Sequence, residues 1–157
     1  MRGDDRIIEF LNEHLTAELT LINQYFLGSR IFDNWGLRGL AKILRDISLE
    51  EMEDAEHLID RILYLEGHPN LQRLGTVRVG ETPQEQLELA LDCERAAIER
   101  LRRGVELCVE VGDHGTRELV ARMLEEEERH TDFFESQLDV IQRVGVQNYL
   151  AQYVRGD

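Results

Sequence analysis

Apolar residues recur three and four positions apart along four long stretches of this chain, a rhythm that fits packed amphipathic helices. The stretches cover about residues 4–33, 37–66, 83–111 and 116–144, and a short fifth segment follows Gly145 over about 146–153. Ile8, Leu11, Leu15, Ile22 and Tyr25 form one stripe on the first, and Leu40, Leu44, Ile47, Leu58, Ile62 and Leu65 form one on the second. Leu87, Leu91, Ile98, Leu101, Val105 and Cys108 continue the pattern on the third, as do Val120, Met123, Phe134 and Ile141 on the fourth. Thr82-Pro83 followed by Glu85 reads as an N-cap, a first-turn proline and an early acidic residue. The expected class is all-α, and 157 residues suit one domain over 1–157 with a single core.

The connectors set the topology. Asp33–Gly36 and Val111–Gly115 are short, so helices one and two, and helices three and four, should form antiparallel hairpins. The connector from Gly67 to Thr82 holds 16 residues. A helix of about 27 residues is roughly 40 Å long, and 16 extended residues reach about 50 Å. Such a connector can run the length of the bundle and make helices two and three parallel. The expectation is an antiparallel four-helix bundle with one long crossover plus a short C-terminal fifth helix.

Composition narrows the function. Against 18 Lys and Arg stand 32 Asp and Glu, a net charge of −14. That charge argues against nucleic acid and against an anionic membrane surface as partners. No apolar run reaches the length of about 18 residues that a membrane span needs. The start, MRGDDRIIEF, has no apolar signal core, so a cytoplasmic protein is expected. Cys93 and Cys108 sit 15 residues apart on one helix. They are therefore roughly 22 Å from each other along its axis, too far to bridge within it. Unpaired thiols fit a reducing compartment.

What interrupts the apolar stripes carries the chemistry. Glu18 lies inward on helix one, Glu51 and Asp54 on helix two, Glu94 on helix three, and Glu127 and His130 on helix four. All six fall near the middle of their helices. Glu18 to Glu51 spans 33 residues, and Glu94 to Glu127 spans 33 again. Each half thus offers one Glu, then a Glu with a partner three positions on, which puts both on one helix face. Five carboxylates buried together would repel and lose hydration unless cations joined them. Dinuclear carboxylate bundles use this arrangement, one Glu from each of two helices and Glu-x-x-His from each of the others.

With these positions in place, the chain resembles a bacterioferritin over essentially its whole length. Further similar stretches are INQYF at Ile22–Phe26, NWGL at Asn34–Leu37 and RILYLEGHPNLQ at Arg61–Gln72. EEERHTDFFE at Glu126–Glu135 and VQNYLAQ at Val146–Gln152 carry the likeness to the C-terminus. The resemblance implies a dinuclear iron ferroxidase centre on Glu18, Glu51, Glu94, Glu127 and His130, acting on iron ions. It implies a shell of 24 subunits built from twofold dimers that stores ferric mineral, with a ferredoxin-type reductant as the partner for release. It also implies haem b held between two subunits by paired methionines. By spacing alone Met52 reads as an exposed or interface-filling side chain; by resemblance it is the haem-iron ligand, with Leu19, Ile22, Asn23, Phe26 and Leu71 as pocket walls.

One position departs from the family. Its helix-two motif is Glu-x-x-His, and here it reads Glu51-Met52-Glu53-Asp54. Asp54 supplies an anionic oxygen on a short side chain, so one half-site would lose nitrogen and gain negative charge. His57, six positions beyond Glu51, points away from the seam. His14, one turn before Glu18, reads as a packing or solvated residue. Glu125–Glu128 reads as a solvated run apart from Glu127, Glu50 and Asp46 as a relay for iron, and Tyr25 as either a core residue or a partner to a ligand. Two functions stay open: a ferroxidase and iron store, or a haem-binding structural subunit of a mixed shell whose second subunit type oxidises iron.

Overall fold

The computed structural model describes residues 1–155. Its helices are α1 (Asp5–Asn34), α2 (Arg38–Tyr64), α3 (Pro83–Val111), α4 (His114–Val144) and a short α5 (Val146–Ala151). The expected ends of α1 and α3 hold to within a residue. α2 stops earlier than expected because Glu66 takes a left-handed φ of 61°. α4 starts two residues early because Asp113 is its cap, accepting from the Thr116 amide at 3.0 Å. The Thr82 hydroxyl caps α3, accepting from the Glu85 amide at 3.1 Å, and the Glu85 carboxylate accepts from the Glu81 amide in return.

The long connector is the expected crossover. Its backbone is tied to α1 at successive heights: His68 and Asn70 to Asn12, Gly75 to Thr20, and Arg78 to Gln24. It therefore climbs alongside α1 from the end of α2 to the start of α3. α1 and α2 pair antiparallel, with Ser29 bonded to the Ala41 carbonyl and Ser48 to the Ile22 carbonyl. α3 also runs against α1, since Phe10 meets Gly104 while Tyr25 meets Glu94. α2 and α3 are thus parallel. α5 folds over the bundle end, burying Tyr149 and bonding its hydroxyl to Gln137 at 2.8 Å.

The stripe on α1 is shifted from the one expected. Ile7 and Leu21 are buried, whereas Ile8 and Ile22 are only half-buried at its edge. On α3, Gly104 takes the inward position and Val105 is half-buried. The core consists of two apolar blocks. One gathers around Ile7, Leu11, Leu58, Leu101 and Met123, the other around Tyr25, Phe32, Leu44, Leu87 and Phe134. A polar layer separates them, and it contains every seam carboxylate named from the sequence.

Candidate metal centre

Four helices bring Glu18, Glu51, Asp54, Glu94, Glu127 and His130 into that layer. The four Glu side chains are fully enclosed, and Asp54 and His130 are nearly so at 8% and 5% exposure. Apolar neighbours a turn away on each helix fix which way these side chains point. Two groups of donor atoms result, each with its members within 4.8 Å of one another. Glu18, Glu51, Asp54 and Glu127 form one, and Glu51, Glu94, Glu127 and His130 form the other. Glu51 and Glu127 belong to both. The short Asp54 side chain reaches its group despite lacking the length of an imidazole.

The donor set is unsatisfied by protein alone. Both oxygens of Glu18, Glu51 and Glu127, Oε2 of Glu94, Oδ2 of Asp54 and Nδ1 of His130 are buried without a hydrogen-bond partner among the described residues. Unpaired buried polar groups are costly, so this many in one layer fits a pair of divalent cations as the missing partners. Oxygen donors with one imidazole suit iron. His130 presents Nδ1 to the carboxylates, 3.2 Å from Glu51 and 3.5 Å from Glu94, while Nε2 is held by Glu50 at 2.7 Å. A metal-facing imidazole braced by a carboxylate on its other nitrogen is how such rings are commonly oriented.

Electrostatics differ around the layer. Burial pushes the carboxyls of Glu18, Glu51 and Glu94 well up, and neighbouring carboxylates add to this for each. Burial, then the approach of Glu126, raises Asp54 to about 9. Glu127 goes the other way: burial would raise it, but Glu94, His130 and Glu51 close by hold it at about 2. Burial disfavours the charged form of His130, yet Glu127, Glu51 and Glu94 outweigh it and raise the imidazole.

Several readings from the sequence change here. His14 is fully buried, with Nε2 2.8 Å from Glu18 Oε1, so it is not solvated. Burial, then the charge of Arg100, pushes it down to about 4 and keeps it neutral. Glu126 leaves the solvated run: it is half-buried and faces Asp54. Glu50 braces His130, while Asp46 is exposed. The Tyr25 hydroxyl donates to Glu94 Oε1, which makes it a partner to a seam carboxylate. His57 is exposed and lines a cleft of about 190 Å³ with Asp54, Arg122, Met123 and Glu126. The signal for His14 was its i−4 spacing from Glu18 on the same face; Glu126 had none, since it sits inside an unbroken acidic run.

The ferritin-like domain family matches residues 8–144. A bacterioferritin from Mycolicibacterium paratuberculosis is 46% identical over 154 residues, covering 98% of this chain and 97% of its own. A bacterioferritin from Streptomyces coelicolor is 47% identical over 154 residues, covering 98% and 92%. The chain belongs to the bacterioferritin family. A bacterioferritin from Rhodobacter capsulatus is 44% identical over 149 residues, covering 95% and 92%. The likeness spans all four long helices that build the polar layer, so the layer lies inside the shared architecture of this iron-storage family.

Met52 lies outside the layer. It is 50% exposed, and Phe26 and Leu71 are exposed to a similar degree. Leu19, Ile22 and Phe26 recur along one face of α1, and Leu49 and Met52 along one face of α2. The bond from Ser48 to Ile22 shows the two helices in contact at that height. No described helix is long and apolar enough to cross a membrane.

Proposed function

We propose that this chain is an iron-storage ferroxidase, oxidising Fe(II) to Fe(III) at the paired carboxylate site and retaining ferric mineral in a shell of 24 copies. The observation that carries the reading is the pair of four-residue groups sharing Glu51 and Glu127, with nearly all their donor atoms buried and unpartnered. Residues 1–157 act as one ferritin-like domain. Glu51 and Glu127 serve both metal positions, Glu18 and Asp54 complete one, and Glu94 and His130 complete the other. Two Fe(II) ions give up two electrons to dioxygen or peroxide, which is reduced to peroxide or water respectively. Five carboxylates against two ions favour the more highly charged ferric product. Tyr25 and Glu50 hold Glu94 and His130, and the apolar blocks above and below keep bulk water out. The cleft beside Asp54 offers ions a way to the layer.

The α1/α2 face suits a twofold partner. Met52 sits beside an apolar stripe and has no apolar cover of its own, and a second copy would bring a second thioether. Paired thioethers are suitable axial ligands for haem b, which supplies electron transfer when bound. Met52→Leu should remove haem from purified shells while leaving the shell assembled. Free Cys93 and Cys108 fit a cytoplasmic protein, and a ferredoxin-type protein is the reductant for iron release.

A second reading rests on Asp54, which removes an imidazole from one half. In it, the chain is a haem-binding structural subunit of a mixed shell. The deciding experiment adds about two Fe(II) per subunit to metal-free protein and follows ferric absorbance beside a Glu94→Ala control. A fast phase missing from the control supports the ferroxidase. Equal slow oxidation in both, relieved only by a second subunit type, supports the structural subunit.

A further inference from the structure

Each end carboxylate of the centre has a buried ring behind it. Glu94 receives the Tyr25 hydroxyl, and Glu18 has His14, whose Nε2 lies 2.8 Å from Oε1 with both side chains fully enclosed. The offset of 76 residues that carries Glu18 to Glu94 and Glu51 to Glu127 carries His14 to Ala90. This imidazole therefore has no counterpart in the other half.

The ring is itself held in place. Phe10, one turn earlier on α1, stacks on it with centroids 6.2 Å apart and planes 9° from parallel. Phe10 in turn lies against Gly104 of α3, where an added Cβ would come 2.0 Å from the Phe10 ring tip. Glycine weakens a helix interior relative to alanine, and here the missing Cβ makes room for the aromatic ring. Gly104, Phe10, His14 and Glu18 form a packed column that leads into the centre from one side.

We infer that His14 is a positioning residue for Glu18, fixing the carboxylate of the half-centre in which α2 offers Asp54 in place of an imidazole. This rests on the metal-centre reading above. A neutral imidazole carries one N–H. Both ring nitrogens are buried without a formed hydrogen bond among the described residues, and Nε2 is the one that faces Glu18, 2.8 Å from Oε1. Donation to Oε1 leaves Oε2 to face the cation. A carboxylate ordered in advance loses less rotamer freedom when an ion binds. Tyr25 gives Glu94 this service, and His14 gives it to Glu18.

The test measures Co(II) affinity of the full chain by competition with a chromophoric chelator, in two backgrounds. In Glu94→Ala, where the Glu18 half remains, His14→Leu should weaken Co(II) binding by about 10- to 100-fold. His14→Gln, which keeps an N–H donor, should restore most of it. In Glu18→Ala, His14→Leu should change nothing. Unchanged affinity in the first background, or an equal loss in both, would overturn the inference, the latter marking general damage to the bundle. Should His14→Leu not fold, Gly104→Ala, which displaces Phe10 from against the ring, is read by the same criterion. Wild-type protein that fails to take two Co(II) per subunit would overturn the metal-centre reading itself; two ions with a silent His14 would overturn this inference alone.

Discussion

The two halves of the polar layer share a backbone plan but neutralise their charge differently. In the half built on Glu94, Glu127 and His130, an imidazole braced by Glu50 is raised among carboxylates, and Glu127 is held at about 2. An internal cation balances Glu127 there, while burial raises Glu94 as it does the carboxyls of the other half. In the half built on Glu18, Glu51 and Asp54, α2 supplies no imidazole, burial raises all three carboxyls, and Asp54 reaches about 9. Protons balance that half. An incoming cation must therefore displace protons at Asp54 and an ion-paired imidazolium proton at His130. Repeating a backbone motif within one chain does not repeat its chemistry.

The most drastic way to break the comparison is to remove a residue common to both halves. Glu127→Ala should abolish the fast phase of Fe(II) oxidation and the binding of both ions, a loss of at least about 100-fold. Glu94→Ala should spare the Glu18 half. Ion binding that survives Glu127→Ala at full stoichiometry would contradict the shared bridge.

Making the halves alike should help. Asp54→His returns a nitrogen donor to α2 and removes a negative charge, and we expect Fe(II) oxidation about tenfold faster, by stopped-flow absorbance. A variant no faster than wild type would mean that Asp54 is not the weak point.

The pH dependence follows from the same contrast. A carboxyl raised in the folded chain keeps a proton that the unfolded chain has lost, so folding stability falls as pH climbs from the ordinary value toward the raised one. Asp54 does this from 3.8 to about 9, and the raised His130 does so above 6.5. His14 has the opposite sign, but its gain is complete by 6.5, as is that of Glu127 by 4.5. Between pH 6.5 and 9, then, the metal-free protein should lose thermal stability steadily. Added Co(II) should stabilise it more at the upper end, because ions replace the protons. A metal-free melting temperature that rises across this window would contradict the proton-balanced half.

The smallest effect probes the column that belongs to one half only. Gly104→Ala sets a Cβ against Phe10 and should cost about 1–3 kcal/mol by overpacking. Calorimetry should show a melting point lower by a few degrees. An unchanged melting point would mean the aromatic ring has room to move aside.

Much of this was legible in the sequence. The three-and-four rhythm located the four long helices, and the connector length gave the crossover that the ties from His68 to Arg78 along α1 display. The six seam residues were visible because each interrupts an apolar stripe. Ile8 and Ile22 were misplaced because neighbouring apolar positions at 7 and 8, and at 21 and 22, leave the stripe's azimuth open by one residue; packing against α2 and α3 decides it. Glu126 was lost in an acidic run, since which of four consecutive carboxylates turn inward depends on the neighbouring helix. The setting of His14 was beyond spacing alone, because it depends on a ring at Phe10 and an absent side chain at Gly104, 94 residues apart in sequence.

The central claim is that two ions share Glu51 and Glu127. Crystals of the metal-free protein soaked in Fe(II) without oxygen, with diffraction recorded at the iron absorption edge, test it most directly. The account predicts two anomalous peaks in each bundle, both contacting Glu51 and Glu127, one also Glu18 and Asp54, the other Glu94 and His130. A single peak at His130, or none within the bundle, would contradict it.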